Sequence, residues 1–96
     1  MNWQSAPPEQ RALYDAYCDA TGMTVSCDYQ RAEDVKELAA RGVTPEDIRT
    51  VIAFIRRKIE RGDKGFQETS LLWRNAMNPN AMEERAHLCK IGRAHV

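Results

Sequence analysis

Ninety-six residues carrying 14 basic and 14 acidic side chains, with a formal net charge of zero, suffice for one small domain with a single core and are too few to set a cofactor domain beside a substrate domain. No apolar run approaches the length needed to cross a bilayer, and Met1 is not followed by a signal peptide's charged and apolar regions, so a soluble, cytoplasmic protein with no membrane partner is expected. Cys18, Cys27 and Cys89 form no C-x-x-C pair, which argues against a disulfide framework or a zinc knuckle and for three reduced small hydrophobes.

Residues 1–8, MNWQSAPP, read as a lead-in or the end of a linker, because Pro7 and Pro8 cannot both sit inside a helix. Trp3 either folds back on the first helix or belongs against a neighbour. The domain proper is expected over residues 9–90. A first helix is predicted from Glu9 to about Thr21, where Leu13, Tyr14, Tyr17 and Cys18 recur at helical spacing and Gly22 marks the stop. The following MTVSC holds β-branched Thr24 and Val25, but with no second strand run to pair with it is read as a connector. From about Asp28 to Arg41 a second helix is predicted on the narrow stripe Ala32, Val35, Leu38 and Ala39, ending at Gly42; its carboxylates, Asp34 and Glu37 among them, are read as solvated charge.

The third helix, Thr44 to Gly62, has both ends written out. Thr44 is the N-cap, Pro45 takes the first helical position, Asp47 completes a capping box, and Gly62 suits the left-handed stop. Ile48, Val51, Ile52, Ile55 and Ile59 share one face. Because only Gly42 and Val43 separate it from the second helix, the two are expected to form a helix-turn-helix hairpin at the centre of the fold, with Val43 stapled to Ile48. DKGFQE is turn sequence anchored by Phe66. A fourth helix is predicted to begin near Thr69 or Ser70 and to close Leu71, Leu72 and Met77 over the core, with Trp73 in need of a partner for its indole N–H. Asn78-Pro79 breaks it. Asn80 is expected to cap a short fifth helix whose apolar members are Ala81, Met82, Ala86, Leu88 and Cys89. The whole is an all-α single domain of four to five helices. The terminal hexapeptide IGRAHV, residues 91–96, matches the read-through translation of a standard sequencing adapter and is expected to be an artefact outside the fold.

Charge is unevenly placed along this chain. Residues 1–48 hold nine acids and four bases, whereas residues 49–64 hold six bases, Arg49, Arg56, Arg57, Lys58, Arg61 and Lys64, against Glu60 and Asp63. That segment is either a solvated helix face paired with the acidic first half or a surface for nucleic acid or an acidic partner, and no base-reading aromatic or amide is read as interleaved with it. Catalytic signals are weak by comparison. His87 and Cys89 stand two apart and so point to different faces of a helix, no nucleophile lies in a local motif, and Gly62 and Gly65 lack the strand and Lys-Ser/Thr of a phosphate loop. Neither an enzyme nor a metal or cofactor site is expected. A stand-alone helix-turn-helix regulator is the alternative reading, with Arg49, Thr50 and Arg56 reading bases or gripping phosphate, although Glu46 and Asp47 would then face phosphates. A structural interaction module unrelated to DNA is a third.

LYDAYCDATG, ELAARGVTPEDIRTVIAFIRRKI and ETSLLWRNAM, taken together, resemble the conserved C-terminal domain of phage replication proteins of the replisome-organiser type, over most of residues 12–85. The matching positions are Thr21-Gly22, Gly42-Val43-Thr44, Val51-Ile52 and Ser70-Leu71-Leu72. The chain departs from that pattern where Ile59 and Arg61 stand in place of a tryptophan, and where Gly65-Phe66-Gln67-Glu68 replaces a Tyr-Leu-Arg-Pro. The resemblance implies a non-enzymatic module of a DNA replication initiation protein, contacting a helicase, its loader or single-stranded DNA, and preceded in the fuller protein by a winged-helix DNA-binding part.

Overall fold

A computed structural model describes residues 5–94 of the chain, with side chains as far as Ile91; Trp3 and His95 lie outside the described residues. The fold is all-α. Among the described residues five α-helices run α1 (Pro8–Thr21), α2 (Tyr29–Ala40), α3 (Pro45–Glu60), α4 (Trp73–Ala76) and α5 (Pro79–Ala94), with a 3-10 turn over Glu68–Leu71.

The centre is α3. Its Ile48, Val51, Ile52 and Ile55 are all but inaccessible, and they meet Leu13, Ala16 and Tyr17 of α1, Val35 and Leu38 of α2, and Met82 and Ala86 of α5 in one core. The start is held as the sequence predicts. Thr44 Oγ1 accepts from the Asp47 N–H at 3.1 Å while Asp47 Oδ2 accepts from the Thr44 N–H at 3.0 Å, a reciprocal capping box. Ile59, the last of the stripe, is only half-buried.

Gly42, at φ 80°, takes the left-handed turn that ends α2, and the Val43 N–H reaches back to the Leu38 carbonyl at 3.0 Å. Val43 is thereby turned into the core beside Ile48. The tight connection does not make a packed hairpin, however. Helices α2 and α3 make few direct contacts; α3 packs chiefly against α1 and then α5, and α2 against the same pair, so the two helices meet mainly through the shared core.

The predicted fourth helix is broken at Leu72, which takes an extended conformation (φ −64°, ψ 147°) between the 3-10 turn and the single turn of α4. A continuous helix would need the Leu71 carbonyl for an intrahelical bond. Here that carbonyl accepts the Tyr17 hydroxyl at 2.7 Å, tying the segment to α1. The break sends Trp73, 5 % exposed, inward and leaves Leu72 at 39 %, so Trp73 with Ala76 and Met77 closes the core and Leu72 does not. Trp73 meets Tyr17 edge to face, with ring centroids 4.9 Å apart.

Asn78, not Asn80, caps α5: its Oδ1 accepts from the Asn80 and Ala81 N–H groups, with Pro79 at the first helical position. Asn80 instead accepts the Arg41 guanidinium at 2.8 Å. Leu88 faces solvent, because the buried stripe of this helix runs through Met82, Ala86 and the half-buried Cys89. The backbone of α5 continues through Ala94, past the start of the terminal hexapeptide.

Candidate nucleic-acid interface

At 100° per residue, the burial of Ile48, Val51, Ile52 and Ile55 fixes where every other side chain of α3 points. Arg57 stands opposite the core, and Arg61, four residues on, lies beside it. Both are exposed, as is Lys64 in the turn that follows, and none of the three side chains forms a hydrogen bond or ion pair among the described residues.

The other three cations of the stretch are engaged or placed elsewhere. Lys58 is bound to Asp63 at 3.2 Å and lies over the Phe54 ring, 5.4 Å from its centroid, so it braces the end of the helix. Arg56 reaches across to α1, where Nη2 donates to the Ala20 and Thr21 carbonyls at 3.1 and 2.9 Å. These are the orphan acceptors at the end of α1, and a cation there also suits the negative end of the helix dipole. Arg49, two turns before Arg56 on the same flank, is exposed beside Asp19 and Ala20. Five of the six residues therefore form two surfaces, an outer one with Arg57, Arg61 and Lys64 and an inner one with Arg49 and Arg56 along α1, while Lys58 is held at the helix end.

Phe54 is the aromatic that lies among the cations, and it is packed against the core rather than presented as a platform for a base. It sits at i−3, i−4 and i−7 from Arg57, Lys58 and Arg61, and packs edge to face on Phe66 with centroids 6.0 Å apart, while Arg85 of α5 covers Phe66 at 5.7 Å. The signal was in the sequence as an apolar residue off the isoleucine stripe. Asp34 is a correction: its carboxylate accepts the Trp73 indole N–H at 2.9 Å, so it is a partner of the core rather than solvated charge.

The remaining titratable cluster lies where α1 meets the connector. The Tyr14 hydroxyl donates to the Val25 carbonyl, and burial is the main cause that pushes its ionisation up, with Cys18 and Cys27 adding to it. Burial, with Asp28 beside it, pushes the Cys27 thiol up as well, which disfavours the thiolate a nucleophile or soft-metal ligand needs. Tyr17 is pushed up to about 12, again by burial. Among the described residues no three His, Cys, Asp or Glu side chains are grouped to hold a metal ion, and no helix is long and apolar enough to cross a membrane. No protein-family model matches this chain, and neither does any curated protein or solved structure.

Proposed function

We propose that this chain is a non-enzymatic module of a phage-type DNA replication initiation protein, which contacts single-stranded DNA through the outer side of α3 and a helicase or its loader elsewhere. The observation that supports the nucleic-acid part is the row Arg57, Arg61 and Lys64, exposed and free of ion pairs among the described residues, at the end of a helix whose opposite face is core. Arg57 and Arg61 are about 6 Å apart along the helix axis at 1.5 Å per residue. Contact of this kind is to phosphate, indifferent to sequence, and weak. With about three phosphates neutralised, the logarithm of affinity for a single strand falls with the logarithm of salt at a slope of roughly −2.

The regulator alternative has less support, because Arg56, one of its base-reading candidates, is already engaged by the end of α1. Fluorescence anisotropy with a short labelled oligo-dT and with a mixed-sequence duplex, each at two salt concentrations, tests the reading. Single-strand binding that weakens with salt and is abolished by Arg57→Glu with Arg61→Glu is expected. Tight, sequence-selective duplex binding would replace it with the regulator.

A further inference from the structure

Two grooves meet at Arg56. One runs between α1 and α3, has a volume of about 300 Å³, and is lined by Asp19, Ala20, Arg49 and Arg56 over a floor of Ile52 and Ala53. The other, about 420 Å³, lies between the end of α1 and the 3-10 turn, with Met23, Leu71 and Leu72 as its apolar wall and Glu68 at its rim. Arg56 lines both and its side chain spans to the end of α1 between them, so a ligand running over Arg56 would follow one track with a cationic half and an apolar half.

We infer that this track is a docking site for a short extended peptide of a protein partner, with acidic residues over Arg49 and Arg56 and an aliphatic residue against Leu72 and Met23. Charge selects the occupant. In the first half two guanidiniums face the single carboxylate of Asp19. Arg49 forms no ion pair among the described residues, and both bonds of Arg56 to α1 use Nη2, which leaves Nη1 and Nε as donors held in place by the helix end. A carboxylate meeting such a pre-positioned guanidinium loses little further side-chain entropy. In the second half Leu72 exposes 39 % of its surface because the helix breaks beneath it, which is the aliphatic contact a peptide side chain would cover. A polynucleotide fits poorly, since no aromatic side chain lines either groove to stack a base and the second half is walled by Met23, Leu71 and Leu72 rather than by further cations.

Arg49 and Arg56 are about 10 Å apart along α3, close to one three-residue turn of a polyproline II chain at about 3.1 Å per residue, which brings every third side chain to the same side, so the fitting pattern is two acids three residues apart followed by an aliphatic residue. This site is distinct from the outer cationic row and rests on the reading above only for the identity of the partner as a replication protein.

A fluorescein-labelled synthetic peptide with two glutamates separated by two serines and followed by two leucines is the probe, with its double glutamine analogue as the control. Saturable binding is expected, weakened about tenfold or more by Arg49→Ala, by Leu72→Ser and by the glutamine analogue, and unchanged by Arg57→Glu with Arg61→Glu. Arg49 and Leu72 are exposed, so both variants keep the fold, which far-ultraviolet circular dichroism checks. Absence of binding, equal binding by the Arg49→Ala and Leu72→Ser variants, or loss in the Arg57→Glu, Arg61→Glu variant overturns the inference. So does loss of oligo-dT binding in Arg49→Ala and Leu72→Ser, which would make the track a nucleic-acid site. Failure of the functional reading is seen separately, in the oligo-dT titration of wild type against the outer-face variant.

Discussion

The indole N–H of Trp73 donates to the carboxylate of Asp34 at 2.9 Å, so a residue of the one-turn helix α4 is pinned to the middle of α2, 39 positions earlier in the chain. A hydrogen bond to a charged acceptor contributes about 1.5–3 kcal/mol, and losing it leaves the buried indole without a partner. Asp34→Ala is expected to lower stability by about that amount in urea unfolding, and Asp34→Asn, which keeps an acceptor oxygen, by less. Equal losses in the two variants would show that the bond is not what fixes Trp73.

Ile52 is 1 % exposed in the middle of the α3 stripe. Truncation at such a site removes transfer free energy and leaves a cavity, so Ile52→Ala is expected to cost about 2–5 kcal/mol. The chemical-denaturation midpoint measures it, and a wild-type midpoint would mean the stripe is not core. For a domain of this size that loss is a large part of its whole stability.

The start of α3 offers a smaller and more local test. Thr44→Ala removes the acceptor for the Asp47 N–H and is expected to cost about 1 kcal/mol, with helical content otherwise unchanged. Thr44→Ser, which keeps the hydroxyl, is expected to retain most of the wild-type midpoint.

How much of this could be read from the chain depends on whether the cause was local. The α3 cap, its isoleucine face and the Gly42 turn are each specified within a few residues, and each is found in place. The packing of α3 between α1 and α5, the break at Leu72 and the anchoring of Trp73 were not legible, because they depend on Tyr17 and Asp34, which are distant in sequence. The basic stretch was legible as composition only. Whether a cation is exposed or bound to the end of another helix depends on its angle to the core and on what lies across the groove, and that is what divides Arg57 and Arg61 from Arg56 and Lys58.

Alkaline titration has a definite sign. Tyr17 is pushed up to about 12 by burial, while in the unfolded chain it ionises near its ordinary 10.0. Its contribution to stability is therefore fully present below pH 10 and is lost as pH rises from about 10 to about 12, because the unfolded state sheds its proton first. Phenolate absorbance is expected to show Tyr17 ionising late and together with loss of the far-ultraviolet helical signal. Tyr17→Phe, which also removes the bond to the Leu71 carbonyl, is expected to be less stable at neutral pH and to lose this part of the alkaline dependence.

Deleting residues 91–96 is expected to leave the thermal midpoint nearly unchanged. Among the described side chains the last buried one is Ala86, Cys89 is half-buried, and Ile91 is 41 % exposed, so little described apolar area is lost. A large drop would show that the terminal hexapeptide packs on the domain.

The two bonds from Arg56 to the end of α1 bear on how any charge-reversal experiment on this protein is interpreted. Arg56→Glu would place a carboxylate against the Ala20 and Thr21 carbonyl oxygens, at the negative end of a fourteen-residue helix. Binding lost in a variant that reverses the whole basic stretch at once would therefore mix a damaged α1 with a damaged surface. Arg57→Glu with Arg61→Glu therefore tests the proposed outer contact alone, whereas Arg56→Glu also disturbs the helix end that it caps.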